Sequence, residues 1–209
     1  MLHSFSFPRA RIFAVLATVI GATLAAGCGV NNIPTYEQDA KAKWSEVLNQ
    51  YKRRTDLIPN LVETVKGFAE QEKSVLTDVV EARAKATQTQ VQIPADILTN
   101  PDAMKKFQEV QGQLTGALGR LMAVIEKYPD IKSGQNFLAL QSALEGTENR
   151  ISVSRRDYIE SVRIYNTEIT TIPGRWWRSF MYPASKEMAT VDIPAEELKT
   201  PKVDFNTKK

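Results

Sequence analysis

Cys28 is the only cysteine and His3 the only histidine in 209 residues, so thiol and imidazole chemistry is confined to the N-terminal edge of the chain. The residues that follow cannot assemble zinc sites of the usual ligand types, a Ser-His-Asp or Cys-His nucleophile system, or the Glu-x-x-His pairs of di-iron helical proteins. Carboxylates are abundant, yet none forms a spaced pair in an identifiable cleft, and no glycine-rich phosphate loop is present. No catalytic residue, metal or cofactor is therefore expected, and the sequence points to a non-enzyme. Any hydrolase activity would have to use Asp, Glu, Lys, Ser or Tyr alone.

Charge narrows the partners. The formal net charge is +3, but without Arg9 and Arg11 of the N-terminal segment 25 basic residues face 24 acidic ones. Nucleic acid is not an expected partner, because phosphate binding needs clustered surplus positive charge. The composition, 43% hydrophobic and 24% charged, suits one ordinary globular domain with a segment to spare.

The one reactive thiol ends a recognisable leader. Residues 1–11 carry His3, Arg9 and Arg11 with no acid, Ile12 to Ala26 is apolar, and Gly27-Cys28 follows. This is a positive n-region, an h-region of signal-peptide length and a small-residue cleavage site, and the run is short for a membrane span of roughly 20 apolar residues. Leu24-Ala25-Ala26-Gly27-Cys28 resembles a bacterial lipobox, although Ala25 stands where leucine is more typical. The expectation is a lipoprotein signal peptide over 1–27, lipidation of Cys28 (testable by palmitate labelling) and a tether over 28–34. The competing reading is an incidental cysteine at the end of an uncleaved anchor. Two or three acyl chains would hold firmly at about 0.8 kcal/mol per buried methylene.

The elements that follow are helical. Trp44, Val47 and Tyr51, then Ile58, Leu61, Val65 and Phe68, recur at steps of three and four. Pro59 cannot donate to the carbonyl of Thr55, which predicts a kink or a restart near Asp56, a competent N-cap. A break is expected between Gly67 and Glu72, then a second segment with Val75, Leu76, Val79, Val80 and Ala82. Thr87 to Thr99, glutamine-rich with Pro94, reads as a loop or frayed end. Asn100-Pro101-Asp102 is a helix start, and Phe107, Val110, Leu114, Ala117, Leu121, Val124 and Tyr128 form the next stripe, ended by Pro129. The last helix begins near Ser133 or Gly134, runs through Phe137, Leu140, Leu144, Ile151, Tyr158, Val162, Tyr165 and Ile169, and stops at Pro173-Gly174. Four amphipathic segments with short connections predict an all-α, antiparallel up-and-down four-helix bundle over 35–172, with an irregular C-terminal tail over 173–209 on or near the bundle end.

Polar residues on the apolar stripes are the informative ones. Arg54 interrupts the first stripe, and Glu148 and Arg155 the last. With antiparallel helices of equal rise, position 54 falls opposite the neighbourhood of 151, one turn from Glu148, which predicts an Arg54–Glu148 pair fixing register; the alternative sends both side chains to solvent. Gly112, Gly116 and Gly119 lie inside the third helix, where each costs roughly 1 kcal/mol against alanine. Close helix approach is the plain explanation, and a ligand or partner against that smooth face the sharper one. Trp176 and Trp177, flanked by Arg175 and Arg178 and followed by Phe180, Met181 and Tyr182, are the densest aromatic patch. They are expected either to fold back over one end of the domain or to form an interface.

The stretch from Tyr51 to Gly67, containing Arg53, Arg54, Asp56, Leu57, Ile58, Pro59, Asn60 and Leu61, closely resembles the signature of the LemA family. The likeness continues through Glu81-Ala82-Arg83-Ala84, Tyr128-Pro129-Asp130-Ile131-Lys132, Thr147-Glu148-Asn149-Arg150-Ile151 and Tyr165-Asn166, covering most of residues 33–172. The resemblance implies a four-helix bundle of bromodomain-like topology facing away from the cytoplasm. It implies no enzymatic activity, some members being linked to membrane remodelling or to partners in the same envelope. Many LemA-like proteins keep an uncleaved transmembrane helix, whereas Cys28 here argues for processing. Gly29, where aspartate would retain a lipoprotein at the inner membrane, permits transfer to the outer one.

The expected function is that of a membrane-anchored, non-enzymatic interaction or scaffold protein on the periplasmic side of the cell envelope. It would be held by its N-terminal lipid, with an envelope protein as partner and a homo-oligomer as one possible state. The alternative is an envelope binding module that holds a lipid or small apolar ligand in the bundle.

Overall fold

The computed structural model describes residues 29–66 and 72–191. The leader, Cys28, Gly67, Phe68 and residues 192–209 lie outside the described residues, and so therefore do the expected lipid site, the signal peptide and the end of the first stripe. What is described is all-helical, with no strand among those residues. In chain order come α1 (Asn32–Lys66), α2 (Lys73–Val91), a 3-10 turn (Ile97–Thr99), α3 (Pro101–Ile125), α4 (Pro129–Lys132), α5 (Gln135–Thr170) and α6 (Gly174–Phe180).

Several boundaries differ from those expected, each for a local reason. Helix α1 begins at Asn32, inside the stretch 28–34 expected to be tether. Pro34 is tolerated there because the first four amides of a helix have no intrahelical acceptor anyway, and Ile33 is fully buried. Pro59 neither ends nor restarts the helix: α1 runs unbroken to Lys66, and Asp56 is an interior residue paired with Lys52 rather than a cap. Helix α2 extends through the polar stretch to Val91, because Ala86 is buried and Gln90 Nε2 donates to the Leu48 carbonyl at 2.7 Å. Asn100 caps α3 as expected, its Oδ1 accepting from the Ala103 amide at 3.1 Å. Pro129 opens the single turn of α4 instead of ending α3, which stops at Ile125; proline's missing donor costs nothing at a first helical position. The C-terminal stretch is not wholly irregular. The amides of Arg175 and Trp176 reach the carbonyls of Thr171 and Pro173, and α6 follows.

The described chain falls into two compact units. The first comprises 29–42 and 160–187; buried in it are Ile33, Ala40, Val162, Tyr165 and Ile169. The second comprises 43–66, 72–159 and 188–191. Its core takes Ile58, Leu61 and Val65 from α1, Val79, Ala82 and Ala86 from α2, Leu114, Leu118, Leu121 and Ile125 from α3, Ile131 from α4, and Phe137 and Leu144 from α5. Each such Val, Leu, Ile or Phe side chain contributes roughly 1.5–3 kcal/mol on leaving water. Beside it Trp44, Tyr51, Phe107 and Tyr158 make a ring cluster, with centroids 5.2–5.5 Å apart in tilted and edge-on pairs. Within this unit α1 and α2 run antiparallel. Leu48 is bonded to Gln90 and Thr55 to Arg83, so seven residues forward on one helix are seven back on the other.

Candidate functional site

The heptad spacing that buries Tyr51 and Ile58 in α1 also buries Arg54, only 1% exposed. A guanidinium has five N–H donors and cannot shed its charge, so burial obliges the surroundings to supply acceptors. Two other helices do so for its two Nη atoms. Nη1 donates to Glu148 Oε1 of α5 at 3.0 Å and to Thr115 Oγ1 of α3 at 2.9 Å, while Nη2 donates to Gln111 Oε1 at 2.6 Å and to the Gln111 carbonyl at 3.3 Å. The charge also stands 5.1 Å from the ring centroid of Tyr51. Glu148 is 42% exposed, so the counter-charge lies at the rim while the cation lies inside. The expected Arg54–Glu148 pair is present, and Gln111 and Thr115 complete it.

A second polar contact ties the motif of α1 to that of α2. Because Pro59 has no amide hydrogen, the carbonyl of Thr55 has no intrahelical donor, and Thr55 is buried. Arg83 Nε fills the place at 3.0 Å. This is why α1 passes through a proline without stopping: the missing donor arrives from the neighbouring helix.

The remaining predicted residues divide by burial. Ile58 and Leu61 are in the core, and Leu57 packs half-buried against it. Arg53, Asp56, Asn60 and Glu81 are exposed, Asp56 pairing with Lys52 at 2.6 Å. In the first unit Tyr165 is buried and Asn166 half-buried. Burial pushes the Tyr165 phenol above its ordinary value, with Ser185 opposing through a hydrogen bond. Trp176 is exposed and Trp177 half-buried. In the second unit burial raises Tyr158 strongly, and its hydroxyl donates to the Ala189 carbonyl at 2.8 Å. Ala189 is also held through its amide by the Leu98 carbonyl at 2.7 Å, which fixes 188–191 on this unit.

Close helix approach does not account for the glycines of α3. A Cβ added at Gly112 or Gly119 would meet nothing within 4 Å, and one at Gly116 only the Arg120 guanidinium at 3.8 Å. Gly112 and Gly116 face a groove of about 570 Å³ between α2 and α3, bordered by Asp78, Glu81, Lys85, Gln113 and Arg120, with an Asp78–Arg120 pair at 3.3 Å. A smaller cavity of about 150 Å³ lies among Ile93, Pro94, Ile97 and Phe107. It falls below the roughly 300–1,000 Å³ of ordinary small-molecule sites. Among the described residues no three His, Cys, Asp or Glu side chains converge as metal ligands, and no helix is long and apolar enough to cross a membrane.

Sequence reasoning missed Gln111, Thr115 and the Arg83–Thr55 contact. Gln111 had a signal, since it interrupts the stripe between Phe107 and Leu114.

The family model described as LemA family matches residues 43–205, taking in both the Arg54 network and the Arg83–Thr55 contact. The chain belongs to the LemA family. Among curated LemA-type relatives, the magnetosome proteins MamQ 1 and MamQ 2 of Paramagnetospirillum magneticum are each 29% identical over 160 residues, covering 70% of this chain and 59% of theirs. The magnetosome protein MamQ of Magnetospirillum gryphiswaldense is 28% identical over 157 residues, covering 68% and 58%. The chain thus spans somewhat under three fifths of the length of the relatives it matches.

Proposed function

We propose that this LemA protein is a membrane-anchored, non-enzymatic scaffold of the cell envelope. It is a lipoprotein whose signal peptide is removed before Cys28, and its helices form an antiparallel four-helix bundle on the periplasmic side that engages an envelope protein partner. Membership of the LemA family and the MamQ relatives, named as magnetosome proteins, support a membrane-associated role without chemistry. The observation that carries the reading is how the motif residues are used. Arg54 and Arg83, the motif cations that reach furthest inward, are engaged in helix-to-helix hydrogen bonds. Such a motif stabilises the packing of a helical platform. Gly29 after Cys28 agrees with transfer to the outer membrane.

Cross-linking in intact cells followed by detergent extraction tests this. A stoichiometric protein partner captured with the wild type but not with surface variants of the glycine groove is the expected result. Lipid alone, retained through native mass spectrometry, would favour the binding-module alternative. Recovery of the wild type as an uncross-linked species in the soluble fraction would overturn both.

A further inference from the structure

Ile172, Trp176, Phe180 and Met181 are 63%, 56%, 82% and 54% exposed. They are half of the exposed large apolar side chains among the described residues, gathered within ten consecutive positions. Single apolar residues on a surface need no explanation, but a contiguous group does. Trp176 and Phe180 stand four apart on α6 and share a face. Away from that face the helix is held to its own unit: Gly174 is buried, and Arg178 donates Nε to the Ser185 carbonyl at 3.0 Å.

The same unit receives the chain from the leader. Asn32 Nδ2, in the first turn of α1, donates to Glu168 Oε1 at 3.3 Å. Glu168 is also what α6 starts against: a Cβ at Gly174 would fall 2.1 Å from its carbonyl oxygen. The start of α1, the end of α5 and the start of α6 therefore meet at one residue. Cys28 precedes Asn32 by four residues in the sequence, a backbone length of at most about 14 Å. From 171 to 187 three bases (Arg175, Arg178, Lys186) stand against one acid, Glu187.

We infer that Ile172, Trp176, Phe180 and Met181 form a bilayer-docking face, seated in the interfacial layer of the membrane that holds the tether. Arg175 and Lys186, both exposed, lie at the level of anionic headgroups. The inference rests on the anchored reading above. The chemistry matches the occupant: Trp is favoured at the membrane–water boundary, apolar side chains bury about 5–10 Å into the headgroup region, and nearby Arg and Lys gain from anionic lipid. Lipid attachment alone leaves orientation free, whereas a second contact beside the tether fixes which end of the protein meets the membrane.

The test uses the full chain reconstituted in phosphatidylethanolamine–phosphatidylglycerol vesicles, with and without brominated acyl chains. The emission lost on Trp176→Phe isolates Trp176 from Trp44 and Trp177. Quenching of that component by brominated lipid, with several-fold protection from aqueous iodide, is expected. In the variant Ile172→Glu/Phe180→Glu, of unchanged helicity, the lipid quenching should fall several-fold while flotation persists. Iodide quenching without lipid quenching would show a water-facing patch, and protection from both would show a protein cover such as a second copy. Either overturns the inference while a chain that still floats leaves the anchor standing. A chain that does not float with the vesicles removes the anchor and the inference together.

Discussion

Arg83 Nε lies 3.0 Å from the carbonyl oxygen of Thr55, the acceptor that Pro59 leaves without a backbone donor. Two segments of the LemA likeness, one on α1 and one on α2, are thus halves of a single hydrogen-bonding arrangement. A proline inside a helix ordinarily costs about 3 kcal/mol, partly through the orphaned carbonyl. Here that part is offset across the helix–helix contact, and the offset works only in one register.

The arrangement predicts a specific coupling. Arg83→Met should destabilise the protein by about 1–3 kcal/mol, the cost of leaving a buried carbonyl unsatisfied. In a Pro59→Ala background, which restores an amide facing Thr55, the same substitution should cost much less. A double-mutant cycle by urea denaturation measures the difference. Equal costs in the two backgrounds would mean that Arg83 acts through something other than the Thr55 carbonyl.

Arg54 and Glu148 should respond unequally to truncation. Arg54→Met removes the buried cation and leaves buried Gln111 without its donor, so a loss of about 1–3 kcal/mol is expected. Glu148→Gln should cost only about 1 kcal/mol, because the carboxylate is 42% exposed and its charge is screened by water. Arg54→Lys should resemble Arg54→Met more than wild type, since one ammonium cannot serve partners on both α3 and α5 in the planar geometry of a guanidinium. Chemical-denaturation midpoints of the three variants decide the order; a Glu148 loss as large as that of Arg54 would contradict it.

What could be read in the sequence was what periodicity carries. A charge on an apolar stripe singles out Arg54, and equal rise along antiparallel helices leads to Glu148. The same logic applied to α3 would have found Gln111, but glutamine is unremarkable in a helix and only its place between Phe107 and Leu114 marks it. Thr115 lies off the stripe and gives no signal. The continuity of α1 through Pro59 could not be read locally, because the donor that permits it comes from 28 residues downstream. Helix α6, seven residues long, is too short for a helical period to declare itself and forms through contacts at Glu168. Thr147, Ser154 and Ser161, buried at seven-residue spacing on α5, were hidden because small polar residues read as neutral.

Glycines of opposite environment should respond in opposite directions. At Gly119, with nothing within 4 Å of an added Cβ, alanine should stabilise the protein by about 0.5–1 kcal/mol. At Gly174 the added carbon would collide with the Glu168 carbonyl, so alanine should destabilise and shift the start of α6. Thermal unfolding of the two variants reads both signs. If Gly119→Ala also lowers partner cross-linking in cells while raising thermal stability, the open glycine face is part of the interface; unchanged cross-linking would place the partner elsewhere.

Alkaline pH should weaken the fold through two buried phenols. Burial raises Tyr158 and Tyr165 above the ordinary tyrosine value of 10.0. The unfolded chain therefore loses these protons first, and between the unfolded and folded values it binds fewer protons than the native state. By linkage the stability is fully present below about pH 10 and declines as pH rises beyond it. Tyr158 adds a directional reason, because its hydroxyl donates to the Ala189 carbonyl at 2.8 Å and a phenolate has no proton to give. Lysines titrate in the same range, so the check is the difference between wild type and each Tyr→Phe variant in urea unfolding from about pH 8 to 11. Tyr158→Phe and Tyr165→Phe should each flatten the alkaline decline, and Tyr158→Phe should also lower stability at neutral pH by about 1 kcal/mol for the lost hydrogen bond. A decline equally steep in both variants would assign it to other groups.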